Sequence, residues 1–254
     1  MKASGVGNAA RKSCILVLRA GMRPQRAPMA PRGDVPVNKK DEIYELLVSR
    51  LVNAHYSFGQ RLSVKELAAD TGASRQPIMA ALNRLNSEGF VKIIPQVGCE
   101  VVSPDRNEIA DFYLMFERLE GLLAELAAAR RTEEQLKDLR ALQARIQAID
   151  FSDSQSARDY GQLNRAFHQL IHDMARSPFV DERQNSNFNM SDFFINQAGG
   201  FDHFMADAAR EHEEIIDAIA SKSPARTRAL SEAHIAGVAS AVLAGLRTAT
   251  SAAA

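Results

Sequence analysis

Three histidines, His168, His212 and His234, stand where imidazoles can meet in a dry interior. His212 falls between Ala208 and Ile215-Ile216, and His234 between Leu230 and Val238, at helical spacing on the apolar side of their stretches. An inward histidine alone is usually a satisfied core residue. Three neutral imidazoles converging from three helices are transition-metal ligands, or, without a metal, direct hydrogen-bond partners for an anionic effector. His168-Gln169-Leu170-Ile171-His172 also keeps the i, i+4 histidines of a zinc-protease motif, with Gln169 replacing the water-activating Glu. A metal-dependent enzyme with a histidine site in a helical bundle is therefore the alternative reading, although no catalytic residue can be named for it. His172 itself reads as a solvated or helix-end residue.

A second set of residues has the chemistry of nucleic-acid recognition. Ser74 opens a helix in which Ile78, Leu82 and Leu85 form the buried stripe, with Pro77 tolerated in the first turn. The Ser74 oxygen is suited to bond the orphan N–H groups there. Arg75, Gln76, Met79 and Asn83 are left on the opposite side, two of them strong base-edge or phosphate readers at the helix N-terminus. Before it, Leu62, Leu67 and Ala68 pattern a short helix that stops at Thr71-Gly72, and Lys65 on that helix suits a backbone contact. After it, residues 90–94 and 99–102 are β-type runs around Pro95-Gln96-Val97-Gly98, a polar hairpin tip suited to lie on DNA with Gln96 and Gly98.

These elements need a scaffold, and the rest of the chain supplies one. The chain of 254 residues has room for two domains. Helical periodicity dominates after residue 105. Residues 107–131, 132–149, 157–175, 201–221 and 224–247 read as helices, while the Asn-rich stretch 179–199 is ambiguous. The expected fold is mostly α: a winged helix-turn-helix over 39–103, with three helices and a β-hairpin wing, then an all-α bundle over 107–247. A disordered tail is expected over 248–254. The net charge of zero hides a split, because residues 1–100 carry 15 Lys and Arg against 8 Asp and Glu. A basic half joined to an acidic half fits a protein of which one part meets phosphate. Residues 1–38, with no acid before Asp34, read as a disordered basic arm or as an upstream extension of a start at Met22 or Met29. With only Cys14 and Cys99, and no apolar run near the roughly 20 residues of a bilayer span, a cytoplasmic protein without membrane contact is expected.

The winged segment resembles the GntR family of bacterial transcription regulators. The matching residues are Leu62, Glu66-Leu67-Ala68, Gly72-x-Ser74-Arg75-x-Pro77, Ala81-Leu82, Leu85, Glu88-Gly89 and Pro95-x-x-Gly98. Leu119-Glu120, Phe167-His168, His212 and His234 are similar to the FCD effector domain of the FadR-type subfamily. The resemblance implies a homodimeric, ligand-responsive regulator, read as a repressor, that binds double-stranded operator DNA. It further implies a small organic, sugar or amino-acid carboxylate as effector and a divalent metal, Zn or else Ni or Mn. The family's second recognition-helix Arg and the Glu after it are replaced by Met79 and Ala80. The family's fourth metal ligand, an Asp one turn before the first His, is Asn164 here, which weakens the site by one charge. Effector-binding residues would be His168, His212 and His234, with Arg118 as the carboxylate partner.

Overall fold

The computed structural model describes residues 38–95, 98–151, 153, 156–201 and 204–252, with residues 247–252 described by backbone alone. The expected basic arm, apart from Asn38, lies outside the described residues, as does Gln96.

Helix α1 (Lys39–Val52) starts where the Asn38 side chain accepts the Lys40 N–H at 3.4 Å, and it buries Ile43, Leu47 and Leu51 on one stripe. A two-residue strand β1 (Arg61–Leu62) precedes α2 (Val64–Thr71). Leu62 therefore belongs to a strand and not to the helix that its spacing suggested. The Ser63 hydroxyl accepts the Glu66 N–H at 3.3 Å and sets the helix start one residue later. Gly72 ends α2 at φ +64, a left-handed conformation that costs glycine little. Helix α3 (Arg75–Ser87) buries Ile78, Ala81, Leu82 and Leu85 against α1. Strands β2 (Val91–Ile94) and β3 (Gly98–Val101) pair antiparallel, and β1 adds to β3 with Leu62 opposite Cys99. The sheet order is β1-β3-β2, one strand more than the expected hairpin.

The bundle comprises α4 (Arg106–Arg130), α5 (Glu133–Gln147), α6 (Ser156–Ala175), α7 (Pro178–Gln197), α8 (Met205–Ala220) and α9 (Pro224–Ala252). Capping boxes start two of them. Asp105 accepts the Glu108 N–H at 2.9 Å while Glu108 accepts the Asp105 N–H at 2.7 Å, and Thr132 with Gln135 repeats the arrangement. Helices α4 and α9 run so close that a β-carbon on Gly121 would come within 2.6 Å of the Glu232 side chain. The ambiguous stretch is helical because Gln184, Phe188, Ser191 and Ile195 repeat at steps of four and three and are buried together. That tertiary burial overrides the weak helix propensity of the asparagines. Helix α9 continues to Ala252, past the expected end, through a run of Ala, Thr and Ser with no Gly or Pro to stop it. Residues 224–246 of α9 are, by length and composition, long and apolar enough to cross a membrane, which the sequence reading missed. The stripe Thr227, Ser231, His234, Ile235, Val238 and Val242 of this helix is buried in the bundle.

The winged domain rests on α7 through aromatic rings. Phe58 and Phe90 meet Phe193 edge-on, with centroids 5.3 and 5.8 Å away. Beside them the Gln197 amide donates to the Tyr56 carbonyl at 2.8 Å and accepts the Phe58 N–H at 3.2 Å. Gln197→Ala should leave both backbone groups without partners and loosen the contact by about 1–3 kcal/mol. Amide exchange at Phe58 reports it. An unchanged rate would show that Gln197 contributes nothing to docking.

Candidate functional site

The outer face of α3 presents Ser74, Arg75, Gln76 and Asn83 to solvent. Ser74 has extended cap dihedrals, φ −69 and ψ 166, but makes no side-chain cap bond, contrary to expectation. Its exposed hydroxyl remains beside Arg75 and Gln76 at the positive end of the helix dipole, a setting suited to phosphate. Met79 does not share this exposure. It is half-buried and packs on the core, because its apolar side chain turns toward the protein. Lys65 on α2 and Gly98 on the wing are exposed. Arg84, further along α3, is already committed, lying 3.4 Å above the Tyr44 ring and 3.0 Å from Glu88.

Inside the bundle, α6, α8 and α9 bring His168, His212 and His234 together. All three are buried, and one ligand atom from each lies within 4.8 Å of the others. Every Nδ1 has a partner: Glu120 of α4 for His168 at 2.9 Å, Gln143 of α5 for His212 at 3.3 Å, and Glu211 of α8 for His234 at 2.8 Å. The His212 tautomer follows from the next bond along. Gln143 donates its amide N–H to the Ala209 carbonyl at 2.6 Å, so its oxygen faces His212 and accepts a proton from Nδ1. The His212 Nε2 then carries a lone pair, and it is buried with no hydrogen-bond partner. Phe167 stacks on the same ring at 3.9 Å and 11° and fixes its plane.

The electrostatics keep His168 and His212 neutral. Burial pushes His212 well below the usual imidazole range, and the neighbouring His234 and His168 add to the effect. Burial also lowers His168, against the opposing bond to Glu120. Neutral imidazoles need lose no proton to bind a cation. The donor set, three imidazoles each oriented by an acceptor behind it, suits a divalent transition metal.

His172 departs from expectation. It is buried, with Nε2 2.7 Å from Glu120 and Nδ1 3.0 Å from Asp181. The two histidines of the protease-like motif thus share one carboxylate from α4, and His172 has both nitrogens engaged. Burial alone would lower His172, but Glu120 and Asp181 raise it above the ordinary range. Burial alone would raise Glu120, but His172, with the bonds from both histidines, holds it far below the usual carboxylate range. Gln184 completes the cluster, donating to Glu120 at 2.8 Å. Glu120→Ala should cost about 3–5 kcal/mol, because buried donors lose their charged partner. A urea midpoint unchanged from wild type would contradict that.

Arg118 does not join the histidines. Its side chain is 56% exposed and pairs with Glu232 at 2.6 Å, since its position on α4 faces α9 and solvent. Asn164, one turn before His168, is half-buried and accepts the Tyr160 hydroxyl at 3.4 Å. Of the residues behind the triad, Gln143 had a readable signal: it lies on the stripe Leu136, Leu139, Gln143, Ile146, a polar residue among apolar ones. Glu211 had none, because no periodicity marks which carboxylate a distant imidazole will meet.

Comparison with known proteins agrees with both halves. Residues 39–101 match the family of bacterial regulatory proteins described as the gntR family, and residues 111–237 match the FCD domain. The chain is similar to an uncharacterized HTH-type transcriptional regulator, YdhC, of Bacillus subtilis, 26% identical over 75% of this chain and 84% of that protein. It is 31% identical, over 55% of this chain and 60% of the relative, to the HTH-type transcriptional repressor RspR of Escherichia coli. Among solved structures, E. coli McbR/YncC shares the fold with a TM-score of 0.66 at 19% identity, over 84% of this chain and 99% of that one. The enzyme alternative is overturned by these findings, since the family and these relatives are transcriptional regulators. A winged domain with an exposed recognition helix, joined to a helical FCD domain, places this chain in the GntR family of bacterial transcriptional regulators.

Proposed function

We propose that this chain is a repressor that binds a near-palindromic operator as a homodimer and releases it on sensing a small carboxylate in the FCD domain. In this reading His168, His212 and His234 hold a divalent metal, with Asn164 supplying a neutral amide oxygen at the edge. The observation that carries the metal is the His212 Nε2, buried without a partner and within ligating reach of the His168 and His234 imidazoles. Burying such an acceptor unpaired costs free energy that a cation would recover. The ion would act as an electrostatic anchor for the effector's carboxylate. Glu120, Gln143 and Glu211 would hold the imidazoles in the ligating orientation whether or not effector is bound. Effector binding then favours one arrangement of the winged domains over another, and operator affinity changes with it.

The homodimer is supported by exposed apolar side chains on α4, Leu114 at 53% and Met115 at 46%, which a partner would cover. Two recognition helices related by a two-fold axis read two half-sites. A gel shift with DNA from the protein's own promoter region, run with zinc and a panel of small carboxylates, tests the whole reading. The expected result is a discrete complex that survives competitor DNA and is dissolved by at least one carboxylate. A complex removed by competitor would overturn operator recognition, and one indifferent to every carboxylate would overturn sensing.

A further inference from the structure

A cleft of about 760 Å³ lies between α1 of the winged domain and helices α6 and α7 of the bundle. Its walls differ in charge. From α6 come Arg158 and Arg165, seven residues apart and so on one helical face. From the facing elements come Asp192 and Asn196 of α7 and Asn53, the C-cap of α1, with Phe201 closing one side. Each asparagine spends its amide N–H on its own helix, Asn53 on the Ser49 carbonyl at 2.6 Å and Asn196 on the Asp192 carbonyl at 3.0 Å. Each keeps its amide oxygen available as an acceptor. One wall therefore offers donors with positive charge, and the other offers acceptors with negative charge.

The charges that the cleft holds are poorly matched to each other. Arg165 bonds Asn189 through Nη2, while Nη1 has no hydrogen-bond partner and makes only a long ion pair, 3.8 Å, with the Asp192 carboxylate. The Phe188 ring lies 5.3 Å from the guanidinium and supports it from behind. Burial pushes the Asp192 carboxyl up to about 6, and the nearby Arg165 only partly opposes the rise. This long pair leaves each partner room for a closer, hydrogen-bonded counter-charge. One ligand bearing both charges would satisfy both.

We propose that this interdomain cleft is a second ligand site, separate from the three histidines, and that it takes a zwitterionic small molecule of the α-amino acid class. The ligand's carboxylate lies toward Arg158 and Arg165, and its ammonium toward Asp192 and the two asparagine oxygens. Because Asn53 caps α1 and Arg165 belongs to α6, a bound zwitterion ties the winged domain to the bundle. Helix α6 also carries His168 one turn beyond Arg165, so both sites bear on the same helix.

Calorimetric titration of the full chain tests this with the twenty standard amino acids. Each is run beside the amine lacking its carboxylate and the acid lacking its ammonium. At least one amino acid should bind, with both single-charge analogues weaker by tenfold or more. Arg165→Gln and Asp192→Asn should each weaken binding at least tenfold, and Arg158→Gln, at an exposed position that folding does not need, should weaken it several-fold. Amino-acid binding should be the same in chelator as in zinc, which separates this site from a metal-anchored one at the histidines. The proposal is overturned if no amino acid binds, or if the deaminated acid binds as well and Asp192→Asn tightens it, the signature of a simple oxyanion site. Loss of binding in chelator would overturn it too, by assigning the binding to the histidine site.

Discussion

Zinc added to the full chain should raise its melting temperature, and His212→Ala should abolish that rise. Saturation at a hundredfold excess over Kd is worth about 2.7 kcal/mol of stability by mass action, a shift that thermal melting reads easily. Removing His212 takes away the one nitrogen of the histidine cluster that is buried without a partner, so the binding term goes to zero and is not merely reduced. The Ala variant also loses the stacking on Phe167 and leaves a cavity, which lowers its baseline melting point even without metal. His212→Leu keeps most of the volume and should likewise show no response to zinc. Asn164→Asp should act in the opposite direction and tighten binding, because a carboxylate adds the charge that the amide lacks. Equal metal content in wild type and His212→Ala would remove the site as proposed.

Arg75→Ala should weaken operator binding by about 1–3 kcal/mol, roughly a factor of five to more than a hundred, and relax discrimination at one base pair per half-site. The side chain is exposed at the first turn of α3 and has no partner among the described residues, so the loss falls on DNA contacts and not on folding. Arg84→Ala makes the informative comparison. Its guanidinium is held over Tyr44 and by Glu88, so that substitution should lower stability and leave base preference unchanged. Titrations at fixed salt against the operator and a scrambled duplex separate the two outcomes. Equal affinity of wild type and Arg75→Ala for the operator would exclude Arg75 as a reader.

Much of this was readable where burial and periodicity coincide. The stripe Ile78, Leu82, Leu85 of α3 and the inward spacing of His212 and His234 follow from one helix each, and a single stretch of sequence contains the whole signal. What could not be read depends on a second element. Arg118 was assigned inward although its face meets Glu232 of α9, and His172 outward although Glu120 and Asp181 enclose it. Helix α7 was obscured by its asparagines, because local propensity argues against a helix that the aromatic contacts at Phe193 and Phe194 stabilise. Leu62 was misplaced by one element, since strand β1 exists only through its pairing with β3.

Cys99 has a practical consequence. It lies in β3 between β1 and β2, and burial, with Glu100 beside it, pushes its thiol up to about 11. So little of it is thiolate at neutral pH that oxidants and alkylating reagents pass it by, and oxidative stress should not reach DNA binding through this residue. The same inertness makes it a clock for the opening of the wing. Under native conditions Cys99 should be alkylated only as fast as the sheet transiently separates, and peptide mapping distinguishes it from Cys14. Operator DNA bound across the wing should slow that labelling, so one reagent would report occupancy of the recognition surface without a fluorophore or a crystal.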